Sequence, residues 1–428
     1  MVLAAVESAG TSAGASGMGR GYPGARRPPP TLRPMTTLPT AGPPAALDLS
    51  ADLADLLQAV CDVESVSGAE TRLADAVEAA LSACAHLEVL RDGDAVVART
   101  HLGRASRVVV AGHLDTVPLG RREDGSPNLP TWRTGEGADA VVHGRGTCDM
   151  KGGVAVALSL AASLVEPARD VTWVFYDHEE VEAELNGLGR LAASHPDWLA
   201  GDVAVLGEPT SAAVEGGCNG TLRVEVHLRG VPAHSARPWR GRNAVHAAAP
   251  LLALLADHDP GEREVDGLVF RQSLQAVGIR GGTAGNVVPD ACVVTVNHRF
   301  APDRTLAQAE ADLRELLAGY EVVRTDGAEG ARPGLDRPAA AAVVAATGEE
   351  PRAKLGWTDV ARFSALGVPA VNLGPGDPLL AHADDERCPV ADLHRCADVL
   401  RTWLTEPQEQ GAGPSGGRAA GASATIAP

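Results

Sequence analysis

Val108-Val109-Val110-Ala111-Gly112-His113-Leu114-Asp115 sets four apolar residues directly before a histidine and an acid. A run so short and so rich in valine reads as a buried strand, because a helix needs ten or more residues to bury a face. The same design recurs twice. Val171 to Tyr176 leads into Asp177-His178-Glu179-Glu180, and Val203 to Leu206 leads into Gly207-Glu208-Pro209. Between these runs, Gly152 to Leu164 and Gly187 to Ser194 read as helices, and Ala370 to Leu373 is a further buried strand. Strands alternating with helices predict an α/β layer around a mostly parallel sheet.

Upstream, Leu53, Leu56, Leu57, Val60 and Cys61 have helical spacing behind Asp48 or Ser50 as cap, and Leu73, Val77 and Leu81 mark a second helix. Downstream, from about Gly216, the texture changes. Thr221 to Leu228 alternates apolar and polar residues, Asn243 to Leu255 reads as a helix, Leu274 to Ile279 and Cys292 to Phe300 as strands, and Leu306 to Leu317 as a helix. That β-α-β-β-α order predicts a ferredoxin-like α+β sandwich. The expected organisation is a catalytic domain over 45–217 and 330–406, interrupted by an inserted domain over 218–329. The Gly, Ala, Ser and Pro-rich segments 1–44 and 407–428 are expected to be disordered, with Met35 as the expected natural start.

Of 428 residues, 45% are hydrophobic, enough for a sizeable core, while aromatics are 3%, so Val, Leu and Ala must build it. Lys and Arg number 37 against 55 acids, a net charge of −18. This balance argues against a nucleic-acid surface, which needs clustered cations. No apolar run reaches the ~18–20 residues of a membrane span. The seven cysteines are scattered and never paired as CxxC, which fits a reducing, cytoplasmic compartment rather than a disulfide framework or a thiolate zinc site.

Five places join a strand end or loop to metal-ligand residue types. His113 with Asp115 reads as a ligand and its orienting acid, or as a histidine capping a strand. In Gly144-Arg145-Gly146-Thr147-Cys148-Asp149-Met150-Lys151-Gly152-Gly153, glycines surround one acid ahead of a helix. A dinucleotide loop is the alternative, but Asp stands where the third glycine belongs. The Asp177 to Glu182 cluster reads as a solvated loop or as acids relieved by a cation, one ligating and its neighbour free as a base. Glu208 and His382, in Leu380-Ala381-His382-Ala383-Asp384-Asp385-Glu386, are weak alone. Together, two histidines and three carboxylates suit zinc or a related divalent ion rather than calcium.

The ordered motifs GHLDTVP, GRGTCDMKGG, DHEEVE, LGEPT and AHADDE resemble the dinuclear-zinc amidohydrolases. These include succinyl-diaminopimelate desuccinylases, acetylornithine deacetylases, aminoacylases and related exopeptidases. The likeness runs from roughly Leu47 to Leu404 and is nearest to the actinobacterial desuccinylase branch. It implies His113 and Glu208 on one ion, Glu180 and His382 on the other, Asp149 as the bridge, and a cis peptide after Asp149. It also implies Asp115 orienting His113, Glu179 as general base, and His234 as an oxyanion donor from a partner subunit through a homodimerising inserted domain. Two zinc ions per subunit are implied, with cobalt or manganese as substitutes. Asn286 and Arg299 match substrate positions; Arg237 and Thr358 are candidates by residue type alone. The implied reaction converts N-succinyl-LL-2,6-diaminopimelate to succinate and LL-2,6-diaminopimelate, in lysine and diaminopimelate biosynthesis. Because Gly217-Cys218-Asn219-Gly220 lacks an arginine that some desuccinylases carry, acetylornithine deacetylase or dipeptidase activity stays open.

Overall fold

The computed structural model describes residues 46–406; the expected tails 1–44 and 407–428, and Met35, lie outside the described residues. An eight-stranded sheet organises the larger part of the chain. Its order is Glu88–Asp92, Ala95–Arg99, Asp170–Tyr176, Arg107–His113, Val203–Leu206, Ala370–Asn372, Glu215–Gly216, Arg352–Ala353. The middle four strands run parallel. The first two pair antiparallel, as does Glu215–Gly216 with Ala370–Asn372. Arg352–Ala353 pairs parallel with Glu215–Gly216, so the sheet is mixed, with four of its seven pairings parallel as the sequence leads one to expect and three antiparallel. The Glu88–Arg99 hairpin, turned at Asp92-Gly93-Asp94 between Val89-Leu90 and Ala95 to Ala98, is an addition to the expected strands, although Asp-Gly between apolar residues is a hairpin signal.

Burial explains the middle strands. All seven residues of Asp170–Tyr176 are buried, as are Val203 to Leu206, which is how strands covered on both faces come to read as continuous apolar runs. Helices Leu53–Asp62, Thr71–Ser82, Lys151–Ser163 and Val390–Thr405 contribute to the core on one face, and Gly187–Ser194 and Val360–Ala365 to that on the other. The first of these helices is capped by Asp52, whose carboxylate accepts the Ala54 N–H, and not by Asp48 or Ser50. Among the described residues no helix is long and apolar enough to cross a membrane.

The second sheet lies between Gly220 and Ala328 and has the order Ser273–Gly281, Ala291–Phe300, Gly220–Arg229, Glu321–Ala328, all antiparallel. With helices Ala248–Asp257 and Leu306–Leu316 packed into its own core, this is the split β-α-β ferredoxin arrangement. The first helix begins five residues later than its spacing suggested. The Asn243 carboxamide oxygen accepts the Val245 and His246 N–H groups and holds residues 243–247 as a turn. Cys218 pairs with Ala331 where the chain passes between the two sheets.

One backbone contact fixes where the strand ends meet the Lys151–Ser163 helix. A β-carbon on Gly153 would overlap the carbonyl oxygen of Gly207, the residue before Glu208. Gly153→Ala is therefore expected to cost about 3 kcal/mol in urea unfolding, the upper range for overpacking. A loss below about 0.5 kcal/mol, typical of a neutral surface change, would mean that the helix and strand are free to part.

Candidate active site

Four of the expected residues sit at or just beyond the carboxyl ends of central strands, where open α/β sheets gather function. His113 closes the Arg107–His113 strand. Glu179 and Glu180 follow Asp170–Tyr176, and Glu208 follows Val203–Leu206. Asp149 arrives from the loop before Lys151–Ser163, and the Asp149–Met150 peptide is cis. His382 comes from the loop after the Pro378–Leu380 turn. Left-handed backbone at His178 (φ 57°) and His382 (φ 64°) turns both segments tightly, and such conformations in non-glycine residues concentrate at functional sites.

These side chains converge. Ligand atoms of His113, Asp149 and Glu208 lie within 4.8 Å of one another, and so do those of Asp149, Glu180 and His382. Asp149 belongs to both groups, with Oδ1 3.4 Å from His113 Nε2 and Oδ2 3.4 Å from His382 Nε2. His382 Nε2 also lies 3.0 Å from Glu180. A third grouping joins His113, Glu179 and Glu180, so Glu179 borders both halves.

His113 Nδ1 is 3.0 Å from the Asp115 carbonyl oxygen. A carbonyl only accepts, so Nδ1 carries the proton and, in the neutral ring, the Nε2 lone pair faces the cluster. The Asp115 carboxylate is farther from Nδ1, at 3.5 Å. It instead accepts the N–H groups of Glu179 and Glu180, each at 3.0 Å, and the Ser67 hydroxyl at 2.7 Å. Asp115 thus orients His113 largely through its backbone and pins the two glutamates through its side chain, a division of labour that the sequence did not disclose.

Charge density governs protonation here. Burial, then the charges of Glu208 and Asp359, pushes the Glu179 carboxyl well above its ordinary range, although His113 opposes this. Burial and the Asp149 charge raise Glu208 to about 7. Burial also opposes ionisation of Asp149, but with both imidazoles protonated, the state the surrounding carboxylates favour when no cation is bound, His113 and His382 outweigh it and hold that carboxyl low. His382 rises to about 10 through hydrogen bonds to Asp149 and Glu180. The centre attracts positive charge, and its nitrogen and oxygen donors suit a divalent ion of zinc's type.

Glu208, Thr358 and His382 line a cavity of about 520 Å³. Thr358 is buried and donates its hydroxyl to Asn372. Arg299 lines an adjoining cavity with Arg223 and Trp357; among the described residues no carboxylate lies within salt-bridge distance of it. His234, Asn286 and Arg237 are exposed and line neither cavity. His234 lies on Ala233–His234, paired with Val287–Val288, and the Ser235 N–H donates to the Asn286 carbonyl. The sequence reading missed Lys354, a buried ammonium 3.2 Å from Glu215 on the cavity wall. A lysine in a loop ordinarily reads as solvated, and no spacing signal marked it.

A mixed α/β sheet with histidines and carboxylates gathered at and beside its strand ends makes a candidate metal-binding centre. The chain belongs to peptidase family M20/M25/M40, hydrolases whose model matches residues 109–406. It is 51% identical over 361 residues to the Mycobacterium tuberculosis protein DapE, covering 84% of this chain and 99% of that one. It is 44% identical over 371 residues to the succinyl-diaminopimelate desuccinylase of Corynebacterium glutamicum, with coverage of 84% and 98%. A tripeptidase structure from Staphylococcus aureus shares the fold at a TM-score of 0.66 and 18% identity, covering 82% of this chain and 97% of that one.

Asp115→Asn would turn one of two acceptors toward the Glu179–Glu180 backbone into a donor. Affinity for a divalent ion, measured by competition with a chelator, should fall about 10–100-fold while the circular dichroism spectrum is retained. Unchanged affinity would mean that the glutamate turn holds itself.

Proposed function

We propose that the protein is a metal-dependent amidohydrolase that cleaves N-succinyl-LL-2,6-diaminopimelate to succinate and LL-2,6-diaminopimelate, acting in the cytoplasm as a homodimer. The observation that carries the chemistry is the pair of ligand groups sharing Asp149. The substrate reading is supported by the name of the Corynebacterium glutamicum relative, over nearly its whole length.

His113 and Glu208 would hold one cation, Glu180 and His382 the other, and Asp149 both; zinc is the expected ion, with cobalt or manganese able to replace it. When bound, such ions supply Lewis acidity, acidifying water and polarising an acyl carbonyl. Glu179 borders both ligand groups and belongs to neither, which suits it to take the proton of the attacking water and return it to the leaving amine. Its backbone is fixed by Asp115, so the carboxylate meets that water in a set orientation. His234 is exposed and lines neither cavity of its own chain, which supports a reading in which it donates to the tetrahedral oxyanion across a dimer, with Asn286 as a substrate contact. Arg299 supplies a cation for a substrate carboxylate beside the acidic loop, and Thr358 on the cavity wall is a secondary contact.

Glu179→Ala should keep its full metal content by atomic emission yet lose about 10²–10⁴-fold in kcat; near-normal turnover would remove it from the role of base. A panel of N-succinyl-diaminopimelate, N-acetylornithine and dipeptides, assayed on the zinc-loaded protein, is expected to favour the first in kcat/KM. A preference for acetylornithine or a dipeptide would reassign the substrate without touching the chemistry.

A further inference from the structure

Behind the cluster lies an ion pair that the proposed reaction leaves unused. Arg145 and Glu386 have side chains only 4% and 0% exposed, and Arg145 Nη1 donates to Glu386 Oε2 at 2.7 Å. Their remaining capacity is directed at backbone. Glu386 Oε1 accepts the consecutive N–H groups of Cys148 and Asp149 at 3.0 and 3.1 Å. Arg145 donates to the carbonyls of Pro118, Ala383 and His382 at 3.1, 3.2 and 3.4 Å. The anionic partner therefore grips the backbone of Asp149, and the cationic partner grips that of His382.

The two halves of the centre differ in how they are held. His113 ends a strand and Glu208 lies two residues past one, so the sheet ladder fixes both. His382 has no ladder: it sits in a loop, its side chain 54% exposed. A buried ion pair is a weak source of net stability and is often matched by an apolar pair of the same volume. Stability alone therefore does not account for this one.

We propose that the Arg145–Glu386 pair is a positioning device for the His382 half of the centre. By clamping the Asp149 and His382 backbones to each other, it sets the affinity of the Asp149–Glu180–His382 group for a divalent cation. The inference rests on the two-cation reading above.

The test is titration of metal-free full-length protein with Co²⁺, followed by ligand-field absorption and by competition with chelators of graded strength. Wild type should take up two ions. In Glu386→Gln, the step that is also lost in His382→Ala should weaken about 10–100-fold, as when an outer partner of a ligand is removed, while the other step stays within about threefold. Arg145→Lys keeps the charge but loses the guanidinium fork; it should weaken the same step less, and it decides the matter if Glu386→Gln does not fold. Arg169→Lys is the stability control, because Arg169 donates to the carbonyls of Trp403 and Glu406, away from the centre. It should lower the Tm without changing either step. Two ions bound by wild type with an unchanged affinity ratio in both clamp variants, or equal weakening of both steps, would overturn the positioning role alone. Fewer than two ions in wild type would overturn the two-cation reading and this inference with it.

Discussion

Asp149, Glu179, Glu180 and Glu208 crowd into one pocket with two imidazoles, and like charges at such range strongly disfavour joint ionisation. Everything around them serves to keep them together. The sheet delivers three of the acids and His113 from neighbouring parallel strands, so repulsion is resisted by ladders of backbone hydrogen bonds. The Asp115 carboxylate adds two more from the Glu179–Glu180 turn. Such a site is expensive without a compensating cation, which is the physical reason that its chemistry and its electrostatics point the same way.

Close backbone approach makes the convergence possible. Gly153 and Gly374 both abut the Gly207 carbonyl, bringing the Lys151–Ser163 helix and the turn after Ala370–Asn372 against the segment that leads from Val203–Leu206 to Glu208. Any side chain at these positions would push the contributing segments apart. Lys354 and Glu215 extend the same logic outward, placing a buried positive charge near Glu208 and Asp149.

Much of this was legible in the residues. Central strands surrounded by protein must be apolar throughout, so Val108 to Ala111, Val171 to Tyr176 and Val203 to Leu206 announced themselves, along with the acids and histidine just beyond their ends. The edges were harder to read. Ala95–Arg99 pairs antiparallel with Asp170–Tyr176, and nothing in its composition sets that direction. The helix after Asn243 begins later than its spacing predicts, because spacing registers the apolar face and not the carboxamide that competes for the first N–H groups.

By itself the sequence determined the α/β alternation, the ferredoxin-like order of the second sheet and the residue types that could carry the chemistry. All of these follow from local periodicity and from the donor chemistry of single side chains. The tertiary structure decided which atoms face each other: that Asp149 stands between His113 and His382, that the Asp115 carboxylate serves the glutamate turn more than the imidazole, and that Arg145 and Glu386 clamp two distant loops. It also separated His234, Asn286 and Arg237 from the cavity that Thr358 lines. These are consequences of packing between segments from 36 to 241 residues apart, where small displacements decide whether a hydrogen bond exists, and no local pattern encodes them.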